Sequence, residues 1–247
     1  MNPKAAVMVL MAAALAGCEA RRPESAPESA PVLLFTGKGA SPGDVAALRT
    51  ILTRNGYRYA TVSSAQLNGM TEAQLQGYRL LIVPGGNFVD IGNNLTVGSA
   101  ASIRNAVGHG LNYLGICAGA FFAGNSPYNG LNLTSGVRFP FYAAEAQGTR
   151  KAAVAITASG GPTREQYWED GPQLSGWGAV VGKYPDGTAA IAEGTYGSGW
   201  VILSGVHPEA QEGWRRGMIF QTPVDADNAY AETLIRAALN REPLPHY

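Results

Sequence analysis

The sequence predicts an α/β fold: a mostly parallel sheet with helices on both faces, continued by a β-rich antiparallel extension. Three observations predict it. Short apolar runs recur through the first half, at 32–37, 79–87 and 111–117, the first two closed by glycines. Stretches with helical spacing separate them. In the second half the strand-like runs follow one another across tight turns rich in glycine, proline and aspartate.

In chain order, "VLLFTG" at 32–37 reads as a buried strand. From Asp44 through Asn55, Val45, Leu48, Ile51 and Leu52 share one helical side, and Gly56 is a natural stop. "YRYATVS" at 57–63 is the next strand, "RLLIVPGGN" at 79–87 a strand ending in Pro-Gly-Gly, 96–109 a helix and 111–117 another buried strand. This is an arrangement of the flavodoxin-like or Rossmann-like kind. The extension comprises strands at 151–157, 178–184, 188–194 and 200–205, with turns at 185–187 and 197–199, and an amphipathic helix closes the chain from Asp227 to Asn240. Between them, "EQYWEDGP" at 165–172 reads as a loop, either lining a pocket through Tyr167, Trp168 and Glu169 or lying on the surface with its rings packed down.

Composition narrows the function. The 247 residues are 46% hydrophobic and 15% charged, enough for one sizeable core, which places a single domain at 31–247. Lys+Arg and Asp+Glu both number 18, so no one-sign field marks a nucleic-acid or polybasic membrane partner. Three scattered histidines and one free thiol offer no metal-ligand cluster, and Gly37-Lys38-Gly39 is too short for a nucleotide loop. No cofactor and no nucleic acid are therefore expected.

The first 17 residues have one lysine, an apolar run from Ala5 to Leu15 too short to span a bilayer, and small residues before Cys18. Leu15-Ala16-Gly17-Cys18 resembles the bacterial lipobox. That resemblance implies cleavage before Cys18, acylation of its thiol, and an envelope location in which lipid is the sole membrane contact. Glu19, which is not aspartate, implies outer-membrane sorting, facing the periplasm. An ordinary signal peptide with Cys18 near the cut is the alternative. Residues 18–30, with a PESA-PESA repeat, read as a tether reaching roughly 35–40 Å at about 3.1 Å per residue. With Cys18 acylated, Cys117 is the single free thiol of the mature chain.

Gly115-Ile116-Cys117-Ala118-Gly119 has the small residues that a sharp strand-to-helix turn needs, the pattern of a nucleophile elbow. A helix start there favours thiolate over thiol. A buried cysteine at a tight turn fits the same pattern. In "WVILSGVHPEA", Pro208 biases His207 toward extended backbone, where residues two apart point to one side. Glu209 is then placed to orient the imidazole, unless His207 is an exposed loop residue beside an unrelated acid. Gly85 or Gly86 at one strand end, and Ala118 at the helix start, offer backbone N–H groups to an oxyanion. His109 and His246 lack any such arrangement and are assigned no role.

"LLIVPGG", "YLGICAGAFFAG" and "GSGWVILSGVHPE" occur in the order and spacing of the class I glutamine amidotransferase-like superfamily. Over 31–240 the chain most resembles the domain at the N-terminus of eukaryotic-type biotin–protein ligases, also seen as a free-standing bacterial protein. The resemblance implies Cys117 as nucleophile, His207 as base, Glu209 as its orienting acid, and Gly85, Gly86 and Ala118 around the oxyanion. It departs at Ala120-Phe121, where glutamine amidotransferases carry His-Gln or Met-Gln, and "CAGA" is similar to the Ser-Ala-Gly-Ala elbow of a related serine peptidase group. The expected function is a cysteine-dependent hydrolase or amidotransferase acting on a small-molecule or peptide amide. The alternative is a catalytically silent binding or scaffold module that keeps the shell.

Overall fold

The apolar runs of the first half are covered on both sides, which is why they show no polar–apolar alternation. The computed structural model describes residues 30–247. The 1–17 signal, Cys18 and the tether through residue 29 lie outside the described residues. In chain order the first half comprises β1 (Val32–Phe35), α1 (Pro42–Arg54), β2 (Tyr59–Val62), α2 (Ser64–Asn68), α3 (Glu72–Leu75), β3 (Leu80–Val83), α4 (Phe88–Asn93), α5 (Val97–Gly108) and β4 (Asn112–Ile116). Then come α6 (Ala118–Ala123), α7 (Ala143–Ala146), β5 (Lys151–Ala158), β6 (Thr163–Glu169), β7 (Ala179–Lys183), β8 (Ala189–Tyr196), β9 (Gly199–Ser204), a 3₁₀ turn (Glu212–Arg215) and α8 (Val224–Asn240).

All nine strands form one sheet in the order β2-β1-β3-β4-β9-β8-β7-β5-β6. The five from β2 to β9 run parallel. From β9 onward every pairing is antiparallel. Alternate strand residues enter two separate cores. Leu33, Leu81, Tyr113 and Leu203 pack with Ile103 and Val107 of α5 on one face. Leu34, Ile82, Leu114 and Ile202 pack with Leu48 and Leu52 of α1 and Leu234 and Ile235 of α8 on the other. No helix of the described residues is long and apolar enough to cross a membrane.

Helix starts follow their capping residues. Ser41 precedes α1 with Pro42 at its first position, and the Thr96 hydroxyl accepts the N–H of Ser99 in α5. Short α2 and α3 are each opened by a reciprocal capping box, Ser63 with Gln66 and Thr71 with Gln74. One expectation is corrected. Residues 165–172 are not a loop: 165–169 belong to β6, which pairs with β5 from Lys151↔Glu169 to Thr157↔Thr163. The stretch shows no regular alternation, because Gln166, Tyr167 and Trp168 are all buried in succession. The pairing partner, not local pattern, makes it a strand.

The order β2-β1-β3 means that the chain leaves β1 in one direction for β2 and returns on its other side at β3. The loops after β1 and β3 meet there. The Ser41 N–H donates to the Gly85 carbonyl at 2.9 Å and the Asn87 N–H to the Gly39 carbonyl at 2.8 Å. Ligand sites of open α/β sheets form in this kind of crevice, outside the carboxyl ends of the strands.

Candidate functional site

Cys117 follows β4 and stands immediately before α6 with φ 48° and ψ −103°. A non-glycine residue at positive φ is strained by roughly 1–3 kcal/mol and persists only where its surroundings hold it. Here they do. The Cys117 N–H donates to the Ser204 carbonyl of β9 at 2.7 Å, and the Cys117 carbonyl accepts from the N–H groups of Ala120 and Phe121. Gly119 lets α6 approach β3, since a Cβ there would lie 2.0 Å from the Val83 carbonyl oxygen. The buried Tyr113 hydroxyl pins the same turn by donating to the Gly119 carbonyl at 2.7 Å. The thiol donates to the Glu169 carbonyl at 3.5 Å, so the end of β6 sits directly over the sulfur.

His207 follows β9 and is 4% exposed. Its N–H donates to the Tyr167 carbonyl at 2.8 Å, tying it to the edge strand β6. Its Nδ1 lies 3.0 Å from Glu209 Oε1, and Glu209 is fully buried. Asp44, near the start of α1, brings Oδ1 to the same nitrogen, also at 3.0 Å. One N–H cannot align with two acceptors. It is directed at Glu209, leaving Asp44 Oδ1 without a hydrogen bond among the described residues. The rings of Tyr167 and Trp214 flank the imidazole edge-on, with centroids 5.7 and 5.9 Å away.

The electrostatics follow from this packing. Burial opposes the imidazolium, but the charges of Cys117, Glu209 and Asp44 outweigh it and raise the His207 pKa well above its usual value. Burial pushes the Glu209 carboxyl up, against the pull of His207. Burial also acts on Asp44, yet there His207 wins and holds its carboxyl below the ordinary value. Asp44, His207 and Glu209 are also a group of three metal-capable donors, with ligand atoms all within 4.8 Å of one another. Counted by histidines and thiol alone, the sequence offers no such cluster; Asp44, brought in from α1, completes it.

Cys117, His207 and Asp44 open on one cavity of about 680 Å³, which Gly86, Ala118 and Glu169 also line. Gly85 lies behind it: a Cβ there would fall 2.2 Å from Asp44 Oδ1 and 2.5 Å from His207 Cε1. Gly86, at φ 136°, carries the close crossing of the β1 and β3 loops. Of the aromatic pair expected to shape the pocket, Tyr167 borders an adjoining groove with His207 and Trp214. Its hydroxyl donates to Glu169 Oε2 at 2.6 Å. Trp168 is fully buried in the core against Tyr142.

Sequence reasoning missed Asp44, which reads as an ordinary acidic residue in a first helical turn. It also missed the aromatic and cationic lining of the cavity: Phe88, Phe121, Tyr128, Phe141 and Arg138. Only Phe88 and Phe121 carried a signal, each following a glycine-rich turn that was itself recognised.

Comparison with known proteins agrees with this architecture. Residues 30–149 match the family model described as biotin-protein ligase, N terminal. The match includes Cys117 and ends before β5. A comparison with curated protein sequences finds no match. Among solved structures, one described as a component of GMP synthase from Thermoplasma acidophilum superposes with a TM-score of 0.55 at 13% identity, covering 87% of this chain and 97% of its own. A cytoplasmic protein from Salmonella typhimurium gives 0.53 at 13% identity, covering 83% and 98%. A GH42 β-galactosidase gives 0.53 at 11% identity, covering 88% of this chain but 31% of its own. At these identities the likeness is one of fold.

Proposed function

From a chain whose residues 30–149 match the biotin-protein ligase N-terminal family, on a glutamine amidotransferase-like fold, we propose a cysteine-dependent hydrolase of C–N amide bonds. One observation carries the reading: a cysteine held at a strained strand–helix turn shares a cavity with a buried histidine whose Nδ1 is fixed by a buried glutamate. In this reading Cys117, His207 and Glu209 act as nucleophile, base and orienting acid.

With Nδ1 committed to Glu209, the other ring nitrogen, Nε2, takes the thiol proton. The thiolate then attacks the amide carbonyl carbon, forming the S–C bond as the carbonyl π pair moves onto oxygen. Backbone N–H groups of Gly86 and Ala118, which line the same cavity, receive that oxyanion. Collapse breaks the C–N bond, and the imidazolium proton leaves with the amine. Water, deprotonated by His207, attacks the thioester carbonyl, releases the carboxylic acid and restores the thiol. Ala120-Phe121, in place of the His-Gln of glutamine amidotransferases, argues for an amide other than glutamine. It also favours the second reading, a binding module without turnover, because Phe121 is a cavity wall residue.

The rate of Cys117 alkylation by iodoacetamide, followed against pH, separates the two. At neutral pH the rate is expected to fall by about tenfold or more in His207→Ala. Equal rates in the two proteins would remove the hydrolase reading and leave the binding one.

A further inference from the structure

Resting on that reading, we infer that the ring-lined part of the Cys117 cavity is a substrate subsite for an aromatic or bulky apolar group bearing one carboxylate. Four rings converge there. Phe88 stacks on Phe121 with centroids 4.6 Å apart, Phe121 meets Phe141 at 4.9 Å, and Tyr128 meets Phe88 edge-on at 6.0 Å. Phe141 and Tyr128 are 40% and 38% exposed, two of the few large apolar side chains left open among the described residues. The wall continues into a second cavity of about 450 Å³, which shares Phe88, Phe121, Phe141 and Arg138 with the first. Apolar surface kept open to water along a cavity marks a ligand site better than it marks a stable fold.

Charge specifies the rest of the ligand. Two arginines line the Cys117 cavity. Arg150 is neutralised by Glu145 at 2.9 Å and Asp170 at 2.6 Å. Arg138 makes no ion pair or hydrogen bond among the described residues and stands beside the rings in both cavities. A guanidinium in this position pairs a carboxylate through two parallel hydrogen bonds. Glu169, which also lines the cavity, disfavours a second negative charge. Position links the subsite to the chemistry. Phe88 follows Gly86 by two residues and Phe121 follows Ala118 by three, so the segments that carry the proposed oxyanion donors also carry two of the rings, and all four residues line one cavity.

Binding to Cys117→Ala, which cannot turn over an amide, tests the subsite separately from catalysis. The probes are N-acetylphenylalanine, its C-terminal amide and N-acetylglycine, measured by titration calorimetry. The acid is expected to bind about tenfold more tightly than its amide, and about tenfold more tightly than N-acetylglycine. Arg138→Gln should abolish the acid–amide difference, while Arg138→Lys should keep part of it. Phe141→Ala should weaken the ring-bearing probes and leave the preference for the acid intact. Equal binding of acid and amide, an unchanged preference in Arg138→Gln, or no binding of N-acetylphenylalanine would overturn the subsite. None of these results bears on alkylation of Cys117, so the two readings fail independently.

Discussion

The parallel and antiparallel halves of the sheet supply the site in different ways. From the parallel half come Gly86, Cys117 and His207, each within three residues of a strand's carboxyl end, and Asp44 in the first turn of α1. From the antiparallel half comes the end of β6, whose backbone carbonyls hold the Cys117 thiol and the His207 N–H. One half offers side chains on tight, glycine-dependent turns, and the other offers backbone on an edge strand. The candidate side chains are therefore concentrated at turns and a helix start, and the backbone contacts where the chain runs straight.

The largest expected effect tests that division through stability. Gly119→Ala places a rigidly held Cβ 2.0 Å from the Val83 carbonyl oxygen, a backbone atom, with no flexible side chain to yield. It should cost about 3 kcal/mol or more by chemical denaturation, as overpacked core sites do. Lys151→Ala, at the exposed start of β5, should stay within about 0.5 kcal/mol. Comparable losses in both would break the contrast between the halves.

A smaller effect concerns the turn itself. At an unstrained position, glycine is less stable than alanine by roughly 0.5–1 kcal/mol. At Cys117, with φ 48°, the order should reverse, Cys117→Gly unfolding at higher denaturant than Cys117→Ala by about 1 kcal/mol. Neither variant carries the thiol, so their difference isolates the backbone. If alanine is the more stable, the elbow is not strained and the case for a positioned nucleophile weakens.

The same contrast explains what the sequence made legible. Parallel strands announced themselves as apolar runs, and the turn at Cys117 announced itself through Gly115 and Gly119, because close backbone approach admits few residue types. Spacing alone brought Glu209 to His207, two residues apart in extended chain. β6 stayed hidden because Gln166, Tyr167 and Trp168 are buried together by β5 and the His207 loop, so neither face shows a period. Asp44 stayed hidden for a different reason. Its place in the first turn of α1, three residues after Ser41, already has a local explanation. The contact with His207 spans the fold, and nothing near Asp44 in the chain encodes it. The ring wall has the same origin: Phe88, Phe121 and Phe141 come from three separate segments.

The smallest expected effect lies where two strand-end segments share one imidazole, and its sign separates the two carboxylates. The raised pKa of His207 means that the folded state holds its proton more tightly than the unfolded chain does. Its stabilising contribution is fully present below the unfolded value of about 6.5 and is lost as pH rises through the folded one. Glu209, also raised, contributes with the same slope, most at low pH and less as pH climbs past the ordinary carboxylate range. Asp44, lowered, works the other way: its contribution is present above about 3.9 and is lost as pH falls through its folded value. Asp44→Asn should therefore flatten the acid limb of the stability profile, whereas Glu209→Gln should not. Both should lower the pKa of His207, read from its imidazole resonances in an NMR titration, and Glu209→Gln should lower it further, because the aligned hydrogen bond is the one to Glu209. The reverse order would make Asp44 the acid that orients His207, and would move that role from the loop after β9 to the start of α1.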